Sequence, residues 1–342
     1  MSRARPLFFA MPAVPLALLA LSAALDGCVG DAPVPAVVSD GGGADAETGS
    51  TDAPTSETGS ETGPPTCWGQ PFEPPRVVRT TTIGGDVDLT RQVWGPRLVG
   101  SDAYFAATPA GGSFPTVFRA TWTSSVELTG VTYILPSPSS MAGSLWSPTV
   151  SADGALVVVA VGLPALVGPA PQRNLAFSTG SGGTFPALTE ISSLSTDDDD
   201  ADPWLVGNPP TALYFMRGAS TASKPFAIYR SAITFSSGVP TFGAPTRVAL
   251  TCPLAGGDCG TPVVSPREDH MLFGAWPTGT FGPSVQEAAL AVAGSAATAS
   301  AVFAHPELGA TYPSWVSTDG CEIIVATGDI PATIQFARRS PK

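Results

Sequence analysis

The sequence predicts an all-β protein: a single β-propeller of five four-stranded blades, closed by an N-terminal strand that joins the last blade. Three observations predict it. The first is a hairpin unit, clearest in YPSWVSTDGCEIIVAT from Tyr312 to Thr327, in which a proline opens a short apolar strand, an Asp-Gly turn follows, and a β-branched run returns antiparallel. The second is its period, since the marker prolines Pro96, Pro148, Pro203, Pro262 and Pro313 stand 52, 55, 59 and 51 residues apart, a spacing that fits one propeller blade per repeat. The third is composition. Gly 37 and Pro 36 exceed a fifth of the 342 residues, yet hydrophobic content is 43% and charged content only 13%, which indicates many turns between apolar strands.

Taken in order, residues 1 to 27 read as an export signal: Arg3 and Arg5 precede a broken apolar run from Leu7 to Leu25. The run ends LDGC, Leu25 to Cys28, which resembles the bacterial lipobox and implies lipidation of Cys28. Asp26 departs from that pattern, and ordinary cleavage after Ser22-Ala23-Ala24 is the alternative. Residues 28 to 66 form the expected linker. From Asp31 to Thr66 there is no aromatic residue and no positive charge, so little apolar surface is available to offset chain entropy and disorder is expected. Its seven acids inflate the net charge of −12; the propeller, residues 67 to 342, keeps 14 basic and 20 acidic side chains, a balance of −6 that disfavours nucleic acid.

Each blade then repeats one grammar. Two positions after the marker proline stands an apolar residue, Leu98, Val150, Leu205, Val264 or Trp315, and the following turn carries Asp102, Asp153, Asn208, Asp269 or Asp319, which cap their own backbone. Strand runs such as LVVVA, ALYFM, HMLF and EIIVA come next, and FAIYRSA, TVFRATW and TIQFARR supply a second pair. Four short strands make a blade that cannot bury both faces alone, so blades must pack around an axis. These residues resemble the TolB-type, WD40-like propeller repeats: Ser151-Ala152-Asp153-Gly154, Ser317-Thr318-Asp319-Gly320 and Leu213-Tyr214-Phe215 match the proline, Ser-x-Asp-Gly and strand pattern. The resemblance spans Phe72 to Arg339 and implies the fold; with the signal and linker it also resembles secreted bacterial surface lipoproteins, and it is silent on activity.

Closure follows from the segment that is missing. The fifth unit has only 29 residues after Pro313 and lacks an outer strand, whereas a matching segment, GQPFEPPRVV from Gly69, precedes the first marker proline. The N-terminal strand is therefore expected in the last blade, removing an exposed edge; a cryptic sixth blade is the alternative. With Cys28 lipidated, four cysteines remain and permit three connectivities. Cys252 and Cys259 bracket a short loop, so a local disulfide is the economical pairing and leaves Cys67 with Cys321, clamping the seam. Free thiols are the alternative, disfavoured outside the cytoplasm.

The catalytic inventory is thin. Two histidines, His270 and His305, cannot make a three-His zinc site, and no phosphate loop, GxSxG, HExxH or dinucleotide fingerprint occurs. The acidic run Asp197 to Asp202 reads as a solvated loop, with Asp198, Asp199, Asp200 and Asp202 as candidate calcium ligands against it. Trp94, Trp146, Trp204 and Trp315 lie within two residues of a marker proline and are expected to ring one level, as an aromatic ligand floor or as packing between blades. The leading functional expectation is a non-enzymatic binding or scaffold propeller, lipid-anchored to the cell envelope at the outer membrane or surface, contacting a protein or glycan there and the membrane only through its lipid. Alternatives are a glycan-active hydrolase and a structural envelope component. A carboxylate pair about 5 to 9.5 Å apart would favour the hydrolase, an aromatic floor without acids would favour binding, and any small ligand is expected on the face of the loops preceding the marker prolines.

Overall fold

The computed structural model describes residues 66–341 apart from 81–82, 84, 89–90, 92, 125, 136–142, 163–172, 181–183, 220, 222, 281 and 328–332. The expected signal, Cys28 and the expected linker up to residue 65 lie outside the described residues. After a short β1 (Arg76–Val77), the chain forms blade one from β2 (Trp94–Val99), β3 (Asp102–Ala107), β4 (Thr116–Thr123) and β5 (Glu127–Tyr133). Blade two is β6 (Ser144–Val150), β7 (Leu156–Gly162), β8 (Arg173–Thr179) and β9 (Thr189–Glu190). Blade three is β10 (Asp199–Gly207), β11 (Pro210–Gly218) and β12 (Ala227–Ser236), whose outer edge is shared by β13 (Val239–Phe242) and β14 (Thr246–Arg247). Blade four is β15 (Asp258–Val264), β16 (His270–Trp276), β17 (Ser284–Ala293) and β18 (Ala296–Ala304). Blade five is β19 (Thr311–Val316), β20 (Glu322–Thr327) and β21 (Ile334–Arg338), completed by β1. All pairings within the blades are antiparallel, and five blades close the ring.

The strands are apolar because each blade is covered on both faces. Along β7, Val157, Val159 and Val161 pack with Tyr104 and Val117 of blade one, whereas Leu156, Val158 and Ala160 pack with Leu213 and Phe215 of blade three. A strand buried on both sides therefore reads as a continuous hydrophobic run, although its side chains still alternate. The turn motif is equally explicable. Ser151 Oγ donates to Asp153 and accepts from the Leu156 amide at 2.9 Å, while Gly154 takes φ 71°. In blade five, Ser317 and Asp319 repeat the arrangement, with the Cys321 amide donating to Asp319 at 3.0 Å and Gly320 at φ 74°. The small polar residues satisfy turn amides, and glycine takes the left-handed position.

Every inner strand carries a one-residue bulge beside its marker proline, between Trp94 and Arg97, Trp146 and Thr149, Ala201 and Trp204, Gly260 and Val263, and Pro313 and Trp315. Proline lacks the ladder donor, so the bulge is where it is tolerated. Ser147, Asp202 and Thr261, each immediately before the proline, sit at φ 44° to 49°.

The seam is closed as expected. Arg76 pairs with Phe336 and Val77 with Gln335, and Cys67 is disulfide-bonded to Cys321 across 254 residues. The other bond joins Cys252 and Cys259. The Cys67 amide donates to the Asp319 carbonyl at 2.9 Å, and Trp68 lies so close over Gly320 that a Cβ there would come within 2.7 Å of the indole. Beneath it Glu287 accepts from Arg339 Nη1 at 2.6 Å, from the Gly69 amide at 2.7 Å and contacts His305 Nε2 at 3.1 Å. Glu287, His305 and the Arg339 side chain are almost wholly buried, so blade four, blade five and the N-terminal segment meet on one charged hub.

Candidate channel site

The five inner strands converge on a central channel with two chemically different ends. Beyond the bulges, toward the hairpin turns, lies a cavity of about 380 Å³. All five blades contribute to it. Its lining includes Arg97, Thr149, Trp204, Val264 and Trp315, one from each blade, together with Asn208 and Thr318 from the turns. No Asp or Glu is among the described residues that line it.

Arg97 is the polar centre of this wall. It projects from β2, reaches across to donate from Nη1 to the Pro203 carbonyl, and lays its guanidinium 4.8 Å over the Trp204 ring centroid. Trp204 is held in turn by donating from its indole nitrogen to the Val264 carbonyl at 2.9 Å. Thr149 Oγ1 accepts from the Leu205 amide at 3.2 Å. Burial pushes the Arg97 pKa down to about 10, against a smaller upward pull from Asp202; the group remains a cation at neutral pH. Asp202 itself is held by the Ser147 hydroxyl and lies outside the cavity lining.

The opposite end, where the connecting loops arrive, holds aromatic pairs and compensated charges. Trp94 and Trp146 meet edge to face at 3.9 Å, as do Trp276 and Tyr312 at 5.9 Å. The four expected tryptophans therefore do not form one level: Trp94 and Trp146 precede the bulge, whereas Trp204 and Trp315 follow it and reach the cavity. A displacement of three or four residues along a strand is enough to move a side chain from one mouth toward the other.

The acidic run is not a solvated loop throughout. Asp199 opens β10, and alternation along the strand disperses the carboxylates instead of gathering them. Asp198 accepts from Lys224 at 2.7 Å, Asp199 from Arg173 Nε at 2.8 Å, Asp200 from Arg217 Nε at 2.6 Å, and Asp202 from Ser147. Asp200 is wholly buried, and burial pushes its carboxyl up to about 6 although Arg217 and Thr196 pull it down. The structure does not bring the four candidate calcium ligands together, and no group of three or more metal-ligating side chains occurs among the described residues. His270 stacks on Trp68 at 4.6 Å, and His305 is part of the seam hub. Both histidines thus stand outside the channel. The cavity likewise lies at the turn end, away from the connecting loops on which a ligand was expected.

Arg97 is the site residue absent from the sequence expectations, although a signal exists. The position after the marker proline is Arg97, Thr149, Trp204, Val263 and Ser314 in the five blades, and only the first is charged.

No protein-family model and no curated sequence matches the chain. Among solved structures it is similar to a β-1,2-mannobiose phosphorylase from Listeria innocua, with TM-score 0.50 and 11% identity over 78% of this chain and 91% of that one. It is also similar to the β-xylosidase RS223, with TM-score 0.49 and 12% identity over 77% and 94%, and to a thermostable family-43 glycoside hydrolase, with TM-score 0.48 and 12% identity over 73% and 90%. The chain shares its fold with the phosphorylase. At such identities the likeness concerns the fold alone, because a propeller hosts unrelated functions on one scaffold.

Proposed function

We propose that the chain is a non-catalytic binding propeller, tethered outside the cytoplasm through Cys28, whose channel cavity receives a short glycan. The observation that carries this reading is the lining: two indoles and an arginine with neutral polar groups from the turns, and no carboxylate among the described residues. Its volume falls within the roughly 300 to 1,000 Å³ typical of small-molecule sites. The apolar ring face of a sugar suits the partly buried Trp315 indole, while hydroxyls suit Asn208 and Thr318. Glycoside hydrolysis by acid and base or nucleophile needs two carboxyl groups about 5 to 9.5 Å apart across the bond, and neither is among the described residues that line the cavity. The glycan-active alternative draws its support from fold-level analogy to the neighbouring structures.

The test is calorimetric titration of wild type and Trp315→Leu with a panel of mono- and oligosaccharides, followed by chromatography of the recovered sugars. Binding is expected, weakened roughly tenfold by loss of the indole, with the sugars recovered intact. Cleaved sugar, or binding indifferent to Trp315, would overturn the reading.

A further inference from the structure

We infer that the ligand of the channel cavity carries a carboxylate, as a uronic acid does, and that Arg97 is the group that selects it; this rests on the glycan-binding reading. The reason is an imbalance peculiar to Arg97. Three arginines are buried: Arg97, Arg230 and Arg339. Arg230 meets Glu268 at 2.8 Å and Arg339 meets Glu287 at 2.6 Å, and the partly buried Arg173 and Arg217 likewise contact Asp199 and Asp200. Arg97 has no carboxylate within ion-pair distance among the described residues, although it is only 7% exposed. Its protein partners are one carbonyl and one aromatic face.

A guanidinium has five N–H donors in a planar fork, and burying it without an anion is costly. The acid that acts on it, Asp202, is engaged by Ser147 within the bulges of the neighbouring inner strands and outside the cavity lining. The lowered pKa of Arg97 agrees with a cation that burial disfavours. Arg97 lines the cavity and donates a hydrogen bond from Nη1, and a guanidinium fork can make two parallel hydrogen bonds to a ligand carboxylate. No acid is among the described residues that line the cavity to repel it, yet the propeller, residues 67 to 342, carries a balance of −6. Anion binding here must therefore be local, since the protein's overall field opposes it. The Trp315 indole in the same lining favours a ring bearing the carboxylate over a bare anion.

The experiment is calorimetric titration of wild type, Arg97→Gln and Arg97→Lys with galacturonate, glucuronate, galactose, glucose and acetate, with circular dichroism confirming that each variant is folded. Wild type is expected to bind a uronate roughly tenfold to a hundredfold more tightly than its neutral parent sugar, the range of a charge-assisted hydrogen bond. Arg97→Lys should retain part of that preference and Arg97→Gln should lose it, the preference being read as the ratio of uronate to neutral-sugar affinity within each variant. Equal binding of acidic and neutral sugars by wild type overturns the role of Arg97 and leaves the glycan-binding reading standing, a result that needs no variant to fold. Acetate as tight as uronate overturns the sugar-acid assignment. Binding of none of the sugars removes the glycan-binding reading and this inference with it.

Discussion

Breaking the Cys67–Cys321 disulfide is expected to cost far more stability than breaking Cys252–Cys259, because the two bonds close loops of very different length. The sequence separations are 254 and 7 residues. In the chain-entropy model the first cross-link restricts the unfolded chain by about 5.5 kcal/mol at 25 °C and the second by about 2.5 kcal/mol. The first also anchors the stretch that supplies Trp68, the Gly69 amide donated to Glu287, and the strand β1 paired with β21. Double Cys→Ser variants of each bond, followed by urea unfolding and thermal denaturation, separate the two. At roughly 2 to 4 °C per kcal/mol for a domain near this size, the seam variant should melt at least 10 °C below wild type and the local variant several degrees below it. The seam variant should also give a larger m-value, since its unfolded chain exposes more surface. Equal losses in the two variants would refute the reasoning that the seam bond clamps the ring.

Two further outcomes concern buried charge. Burial disfavours ionised Glu287, but the His305 hydrogen bond and the Arg339 cation outweigh it and hold its carboxyl below the usual glutamate range. The depressed folded value means that its stabilising contribution is present at neutral pH and is lost as pH falls below about 4.5 through the folded value. Glu287→Gln should therefore flatten the acid limb of stability measured by denaturant titration from pH 7 to 3, and should cost about 3 kcal/mol at pH 7 by stranding Arg339. An unchanged acid limb would remove Glu287 from the account. In the acidic run, Asp200→Ala should lower stability by about 2 to 3 kcal/mol because Arg217 loses its buried partner, whereas Asp198→Asn, facing solvent-exposed Lys224, should leave the melting curve unchanged. Equal behaviour of the two variants would contradict the dispersal of these acids along β10.

The sequence alone determined the repeat, the strand order and the closing seam. These are legible because they depend on local rules: a proline at a bulge, Ser and Asp satisfying turn amides at Ser151-Asp153 and Ser317-Asp319, and apolar runs such as LVVVA that require cover on both faces. The missing outer strand of the fifth unit was likewise an accounting fact, and β1 fills it. Tertiary structure decided the site. Whether Trp94 and Trp315 share a level, whether Asp198 to Asp202 gather or disperse, and which side chains line the cavity all depend on the bulge in each inner strand and on the turning of five blades about one axis. Arg97 shows the difference most sharply. In sequence it is one charged residue among five positions after a proline, but its lack of a carboxylate is a property of what four other blades place around it, and no local rule along a single strand encodes that distance.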